Sequence, residues 1–296
     1  MNDVRDRIKS LIDEGHTSQS EIARSVGVSA AAISQYLSNN YKGDEPKIES
    51  ALADYLVIVD KKRSFEKVII PFVSTTVSEA IHEILTTCLI DAEFGVICGH
   101  SGLGKTMALR QYNKIRPSSV LIEVAPTMNQ VDMLKAICSE LKLPANGGCH
   151  AMFEMIVGRL DQSDRLLIID EAEYLSAKCL NTLRRIHDKA DIGVVLCGMP
   201  RLISNLRGKS NDFAQLHLRV GHYINLNNLK SSDADTISRA VLKNPSQIIL
   251  KKLYEECKGN ARILSKILKR GIRVSKINKT DLDVGIIHQI AQSLII

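Results

Sequence analysis

The sequence has no tryptophan, and aromatic residues make up only 4% of its 296 positions. A core must therefore come from aliphatic runs, which the 45% hydrophobic content allows. No apolar run approaches the roughly 20 residues of a membrane span, so no membrane association is expected. There is no C-x-x-C pair among the seven cysteines, an odd number. That argues against a disulfide framework or a zinc ribbon. Cys98, Cys138 and Cys197 sit in apolar runs and read as reduced core residues. Internal repeats and low-complexity tracts are missing. The opening residues, Met1-Asn2-Asp3-Val4-Arg5-Asp6, lack the apolar stretch of a secretion signal. A cytoplasmic location is the expectation.

Charge is present but unevenly placed. The formal net charge is +6, made of −4 over residues 1–60, zero over 61–200 and +10 over 201–296. The basic C-terminal third is where attraction to a polyanion would reside.

The most informative stretch is Gly99-His100-Ser101-Gly102-Leu103-Gly104-Lys105-Thr106, with Met107 after it. It fits G-x-x-x-x-G-K-[ST], a loop that cradles phosphates. The apolar run Phe94 to Cys98 precedes it as a buried strand, and a helical pattern from Met107 to Asn113 follows. Glycines let backbone N–H groups turn toward phosphate oxygens, and the helix N-terminus adds partial positive charge. Lys105 is the expected ligand of the β- and γ-phosphates of ATP, and Thr106 of Mg²⁺. A second motif, Arg165-Leu166-Leu167-Ile168-Ile169-Asp170-Glu171, ends an apolar strand in two acids, 65 residues after Lys105. Asp170 is the expected second metal ligand, through water, and Glu171 the base that polarises the attacking water. Phe72 and Val73, upstream of the loop, are candidates for an adenine pocket.

The rest of the chain frames these motifs. Residues 1–60 read as a small helical domain. Val4, Ile8, Leu11 and Ile12 share one face of its first helix. Ser20 to Leu37 resembles a helix-turn-helix, with Gly27 in the turn, Ser29 as a cap, and Ile22, Val26, Val28, Ile33 and Tyr36 in the core. Its reading face would be Ala30, Ala31, Ser34 and Gln35, which carries no cation. Helices from Pro46 to Val57 would close the bundle. A charged linker is expected from Asp60 to Lys67. A helix capped near Thr75 or Thr76, further strands at Ser119–Val124, Ile192–Cys197 and Tyr223–Leu226, and alternating helices complete a parallel sheet covered on both faces. Ser204 to Asn211 reads as a polar basic loop. Beyond Lys230 only helices are expected, with a capping box at Ser232 and Asp235, a helix starting at Ser246 and stopping at Gly259, a basic amphipathic helix from Asn260 to Lys276, and Thr280 capping the last helix.

With both motifs placed, the chain resembles AAA+ ATPases. With the N-terminal helix-turn-helix it is similar to the phage Mu B transposition family, on Ser29 to Asn40, Val96 to Thr106, Leu167 to Ala172, Gly193 to Asn205 and Ala261 to Leu264. The fold class implied is α/β: a phosphate-loop ATPase of AAA+ type with a parallel sheet and a C-terminal helical lid, preceded by an all-α helix-turn-helix domain. The boundaries are 1–60 for that domain, 61–75 for a linker, 76–228 for the nucleotide domain and 229–296 for the lid. The resemblance implies an ATPase that binds double-stranded DNA without sequence preference, forms helical filaments on it, and delivers it to a transposase, acting on DNA in a bacterial cell. It implies that Arg219 reaches a neighbouring subunit's γ-phosphate, that Arg262 contacts phosphate in its own subunit, and that Thr127, Asn129, Gln130, Arg207 and Lys209 lie on loops facing DNA phosphates. The family usually has a polar residue where this chain has Met199, and its loop corresponding to Pro144–His150 is more basic. The alternatives are a helicase loader or replication initiator, a helix-turn-helix regulator with an ATPase switch, and a nucleotide-gated signalling module that does not bind DNA.

Overall fold

The structure is a computed structural model that describes residues 3–64, 68–207 and 219–294. The chain forms two compact units, Met1–Val68 and Ile69–Ile296. The first contains α1 (Asp3–Asp13), α2 (Gln19–Val26), α3 (Ala30–Leu37) and α4 (Glu45–Ser64). Ser18 caps α2 in a reciprocal box: its hydroxyl accepts the Glu21 N–H, and the Glu21 carboxylate accepts the Ser18 N–H at 3.0 Å. Gly27 ends α2 at φ 77°, a left-handed conformation that glycine adopts without strain, and Ser29 caps α3. Ile8, Ile22, Ile33, Tyr36 and Leu52 form the buried centre, with Val26 and Val28 packed at its edge. Ala30, Ala31, Ser34 and Gln35 are exposed, as the helix-turn-helix reading requires.

The second unit holds α5 (Thr76–Ile90), β1 (Phe94–Gly99), α6 (Lys105–Ile115), β2 (Ser119–Glu123), α7 (Gln130–Glu140), α8 (Cys149–Leu160), β3 (Leu166–Asp170), α9 (Ala177–Ala190), β4 (Gly193–Gly198), α10 (Arg201–Arg207) and β5 (Val220–Leu226). Four helices follow: α11 (Ser231–Arg239), α12 (Gln247–Cys257), α13 (Ala261–Asn278) and α14 (Val284–Gln292). The sheet is wholly parallel, in the order β2-β3-β4-β1-β5. Its central strands β3, β4 and β1 are buried on both faces because helices cover both. Leu167, Ile169, Val194 and Leu196 point to the α7–α9 side. Their neighbours Leu166, Ile168, Val195 and Cys197 point to the side of α5, α6 and the C-terminal helices. This period of two is the geometry of a strand. Truncating one such residue, Ile168 for example, would cost about 2–5 kcal/mol through lost burial and the cavity left behind. Among the described residues no helix is long and apolar enough to cross a membrane.

Five local expectations are corrected. α4 runs through Ser64 instead of yielding to a linker at Asp60; lysine and arginine, the residue types at 61–63, have good helix propensity. The helices expected from Pro46 to Val57 are this single helix. Ser204 to Arg207 belongs to α10, not a loop, because Leu202 and Leu206 bury one face of a helical turn. Lys209, with the rest of that expected loop, lies outside the described residues. The cap of α11 is not the Ser232–Asp235 pair. Asp233 does that work, accepting the Lys230 N–H at 3.3 Å together with the Thr76 N–H at 2.9 Å and the Thr76 hydroxyl at 2.7 Å. The buried carboxylate thus ties the first turn of α5 to α11. Finally, α14 is capped by Asp283, whose side chain accepts the Ile286 N–H at 2.8 Å, and not by Thr280.

Candidate nucleotide site

The carboxyl ends of β1, β3 and β4 are adjacent in the sheet, and each carries one part of the site. The loop after β1 reaches α6 through Gly102 and Gly104, at φ 87° and 91°. These left-handed values suit glycine, and the space is closed as well: a Cβ on Gly102 would fall 2.2 Å from Asn260 Oδ1. Lys105 Nζ donates to the carbonyls of Gly99 at 2.7 Å and His100 at 2.9 Å. The ammonium is thereby held over the loop it would share with phosphates. Leu103 is buried and anchors the loop in the core.

Thr106 Oγ1 donates to Asp170 Oδ2 at 2.6 Å, and the Glu171 N–H donates to Asp170 Oδ1 at 2.9 Å. Asp170 is 2% exposed. Burial raises its pKa, opposed by the hydrogen bonds from Thr106 and Glu171. Glu171 adopts φ 56°, a left-handed backbone costing about 1 kcal/mol for a residue with a Cβ. Its carboxyl is also pushed up, first by desolvation and then by the charges of Asp170 and Glu173. Lys105 and Arg262 pull the other way.

These groups meet in a cavity of about 430 Å³ lined by Ser101, Gly102, Gly104, Lys105, Thr106, Met107, Asp170, Glu171, Met199 and Arg262, among others. Gly99, His100 and Leu103 frame the loop from outside that lining. A second cavity, about 200 Å³ and largely apolar, shares Gly104, Met107, Ala261 and Ser265 with the first. Phe72 and Val73 line it with Ile70, Leu103 and Ile237. Phe72 also stacks on His82, with ring centroids 6.2 Å apart and planes 14° apart. A polar, phosphate-sized cavity beside a flat apolar slot is the arrangement a nucleotide needs.

The lid approaches through one side chain the sequence reading passed over. Asn260 Oδ1 accepts the N–H groups of Arg262 at 3.0 Å and Ile263 at 3.1 Å, capping α13. Its Nδ2 donates to Ser101 O at 3.0 Å, and the Arg262 N–H also reaches Gly102 O at 3.2 Å. Asn before an amphipathic helix was a visible capping signal, but its reach to a loop 159 residues away was not. Glu173 and Tyr174, in the 3-10 turn Ala172–Tyr174 after Glu171, also line the cavity. No motif marks them.

Other candidates lie elsewhere. Arg219 does not line the cavity of its own chain; its Nε donates to Asp188 Oδ1 at 2.6 Å. Thr127 is exposed in the turn before α7. Asn129 caps α7 by accepting the Val131 and Asp132 N–H groups, and Gln130 donates to Thr182 Oγ1 at 2.7 Å. Both side chains therefore have structural work of their own.

Comparison with known proteins agrees with the fold. A family model described as an AAA domain matches residues 90–206, which span β1 to α10 and carry both motifs. The Mu-like prophage FluMu DNA transposition protein B of Haemophilus influenzae is 30% identical over 271 residues, covering 88% of this chain and 93% of that protein. This chain belongs to the Mu transposition protein B family. The family's ATP-dependent target DNA activator B of Escherichia phage Mu is 27% identical over 309 residues, covering 97% of each chain. Among solved structures, the Aeropyrum pernix ORC2 protein matches with a TM-score of 0.59 at 18% identity, over 78% of this chain and 71% of that one. That similarity concerns the fold. The chain is an AAA+ ATPase, and the expected α/β sheet with appended helices is the observed one.

Proposed function

We propose that this family member binds ATP in the cavity at the ends of β1, β3 and β4, and that ATP governs its binding to target DNA for a transposase. The carrying observation is the convergence of Lys105, Thr106, Asp170 and Glu171 on one cavity in a chain whose phage Mu relative is named an ATP-dependent target DNA activator. Lys105 exchanges its two carbonyl partners for β- and γ-phosphate oxygens. Phe72 and Val73 receive the base in the apolar slot. The touching Thr106 hydroxyl and Asp170 carboxylate present two oxygens at the cavity wall, a donor set that fits Mg²⁺. The ion would neutralise charge on the β- and γ-phosphates. Glu171, ionised, draws the proton from the water that attacks the γ-phosphate. Arg262 faces the phosphates of its own subunit, and Arg219 those of a neighbour, leaving its Asp188 partner as subunits join.

DNA contact follows from charge. Residues 201–296 carry net +10, and phosphate neutralisation by such a surface is independent of sequence and weakens with salt. Thr127 and the basic residues Arg207 and Lys209 are proposed to lie against the DNA, with Asn129 and Gln130 positioning the Thr127 turn. ATP would favour subunit contacts along DNA and hence a helical filament, and hydrolysis would dismantle it. A sequence-reading role for the helix-turn-helix is disfavoured by the exposed face of Ala30, Ala31, Ser34 and Gln35. Fluorescence anisotropy of labelled random-sequence duplex, titrated with and without ATP, tests the proposal. Binding that needs ATP and falls steeply with salt supports it; equal binding in both conditions, or dependence on one sequence, overturns it.

A further inference from the structure

Glu173 is only 5% exposed, and its Oε2 is buried with no hydrogen-bond partner. It lines the same cavity as Lys105, Glu171 and Met199. Its backbone is firmly held: the Glu173 carbonyl accepts Asn205 Nδ2 at 2.9 Å and Arg201 Nη2 at 3.3 Å, and the Arg201 guanidinium lies 5.4 Å from the Tyr174 ring centroid. The carboxylate passes over the bare end of β4. A Cβ on Gly198 would sit 2.3 Å from Glu173 Oε2. Met199, the next residue, offers only a thioether as a weak acceptor. A buried carboxylate oxygen needs a hydrogen-bond donor. No described residue donates to Oε2, and the ionised phosphates of ATP present acceptors. A water in the cavity is a donor that meets the need.

We propose that Glu173 is a further catalytic residue of ATP hydrolysis, its Oε2 accepting a hydrogen bond from the attacking water where Met199 cannot. With Glu171 it fixes the water's orientation. The water oxygen forms a bond to the γ-phosphorus while the bond from that phosphorus to the bridging oxygen breaks. The electron pair stays on ADP, and the water proton passes to Glu171 and on to the released phosphate. The inference rests on the reading that this cavity hydrolyses ATP.

The test compares single-turnover hydrolysis at saturating ATP with the affinity for a fluorescent ATP analogue. Glu173→Leu should slow hydrolysis by roughly tenfold or more through misplaced water, while affinity stays within about twofold. Glu173→Gln, whose amide oxygen still accepts, should recover most of the rate and keep the acid limb of the pH profile. Glu171→Gln should lose both. Gly198→Ala, which pushes the carboxylate aside without changing its chemistry, should reproduce the Glu173→Leu loss, and it decides the matter if Glu173→Leu does not fold. Wild-type rates in Glu173→Leu or Gly198→Ala would overturn the proposal. So would a Glu173→Gln variant as impaired as Glu173→Leu, or variants whose only defect is a loss of ATP affinity. Normal hydrolysis by Glu171→Gln would sink the base assignment alone. A wild-type protein that binds ATP without hydrolysing it would sink both.

Discussion

The two units bury different chemistry. Among the described residues of the N-terminal unit, the fully buried residues are all apolar or aromatic, while Ser18 and Ser29 serve exposed caps. The nucleotide unit buries Thr75, Ser78, Ser119, Asp170, Glu173, Thr182, Asp233 and Ser238. Burying such groups is unfavourable unless each is paired. Most of them have a visible structural reason: Asp233 joins α5 to α11, and Thr182 receives Gln130. Asp170 and Glu173 cluster at the mouth of the cavity instead. The contrast teaches that the N-terminal unit buries only apolar and aromatic residues, while the second unit holds two buried carboxylates at its cavity at a cost in stability.

The largest effect that would break this contrast comes from Glu171→Gln. Removing the proposed base should lower hydrolysis by about 10²- to 10⁴-fold with ATP still bound, measured by phosphate release. In the wild type, ionised Glu171 is lost as pH falls through its raised pKa. The acid limb of the rate should therefore begin above the ordinary glutamate value of about 4.3, and Glu171→Gln should abolish that limb. The same raised pKa means that the ionised carboxyl opposes folding near neutral pH, an opposition relieved as the pH drops through it. Next is Lys105→Ala. Loss of the two proposed charge-assisted contacts to phosphate should weaken ATP binding by about 3 kcal/mol, or roughly 100-fold, in an equilibrium titration, and ATP-dependent DNA binding should disappear with it. Asp233→Ala leaves the Thr76 and Lys230 donors unsatisfied; it should cost about 2 kcal/mol in denaturant unfolding of the nucleotide unit. Smallest is Ser29→Ala, which should cost the N-terminal unit about 1 kcal/mol in its own transition and leave ATP hydrolysis unchanged. A Ser29→Ala effect on hydrolysis would show that the two units are coupled.

What the sequence made legible was local. The phosphate loop, Asp170 and Glu171 are contiguous residues next to apolar runs, so their chemistry and their strand-end positions could be read together. The cap at Ser29 and the helix start at Ser246 were legible for the same reason. What escaped was long-range. The contacts of Asn260 with Ser101 and of Asp233 with Thr76 join residues 159 and 157 apart, and no periodicity encodes such pairing. Glu173 looks like one more acid after Asp170-Glu171; only the bare Gly198 on a neighbouring strand distinguishes it. Arg207 was misread because a seven-residue helix gives too few turns for an apolar period to stand out from loop composition.

The central claim is that ATP in this cavity controls assembly on DNA. Electron microscopy of the purified protein with random-sequence linear DNA, with and without ATP, tests it most directly. The account predicts regular helical filaments along the DNA with ATP, none without it, and persistent filaments for Glu171→Gln. Filaments without ATP, or discrete particles at a single sequence, would contradict it.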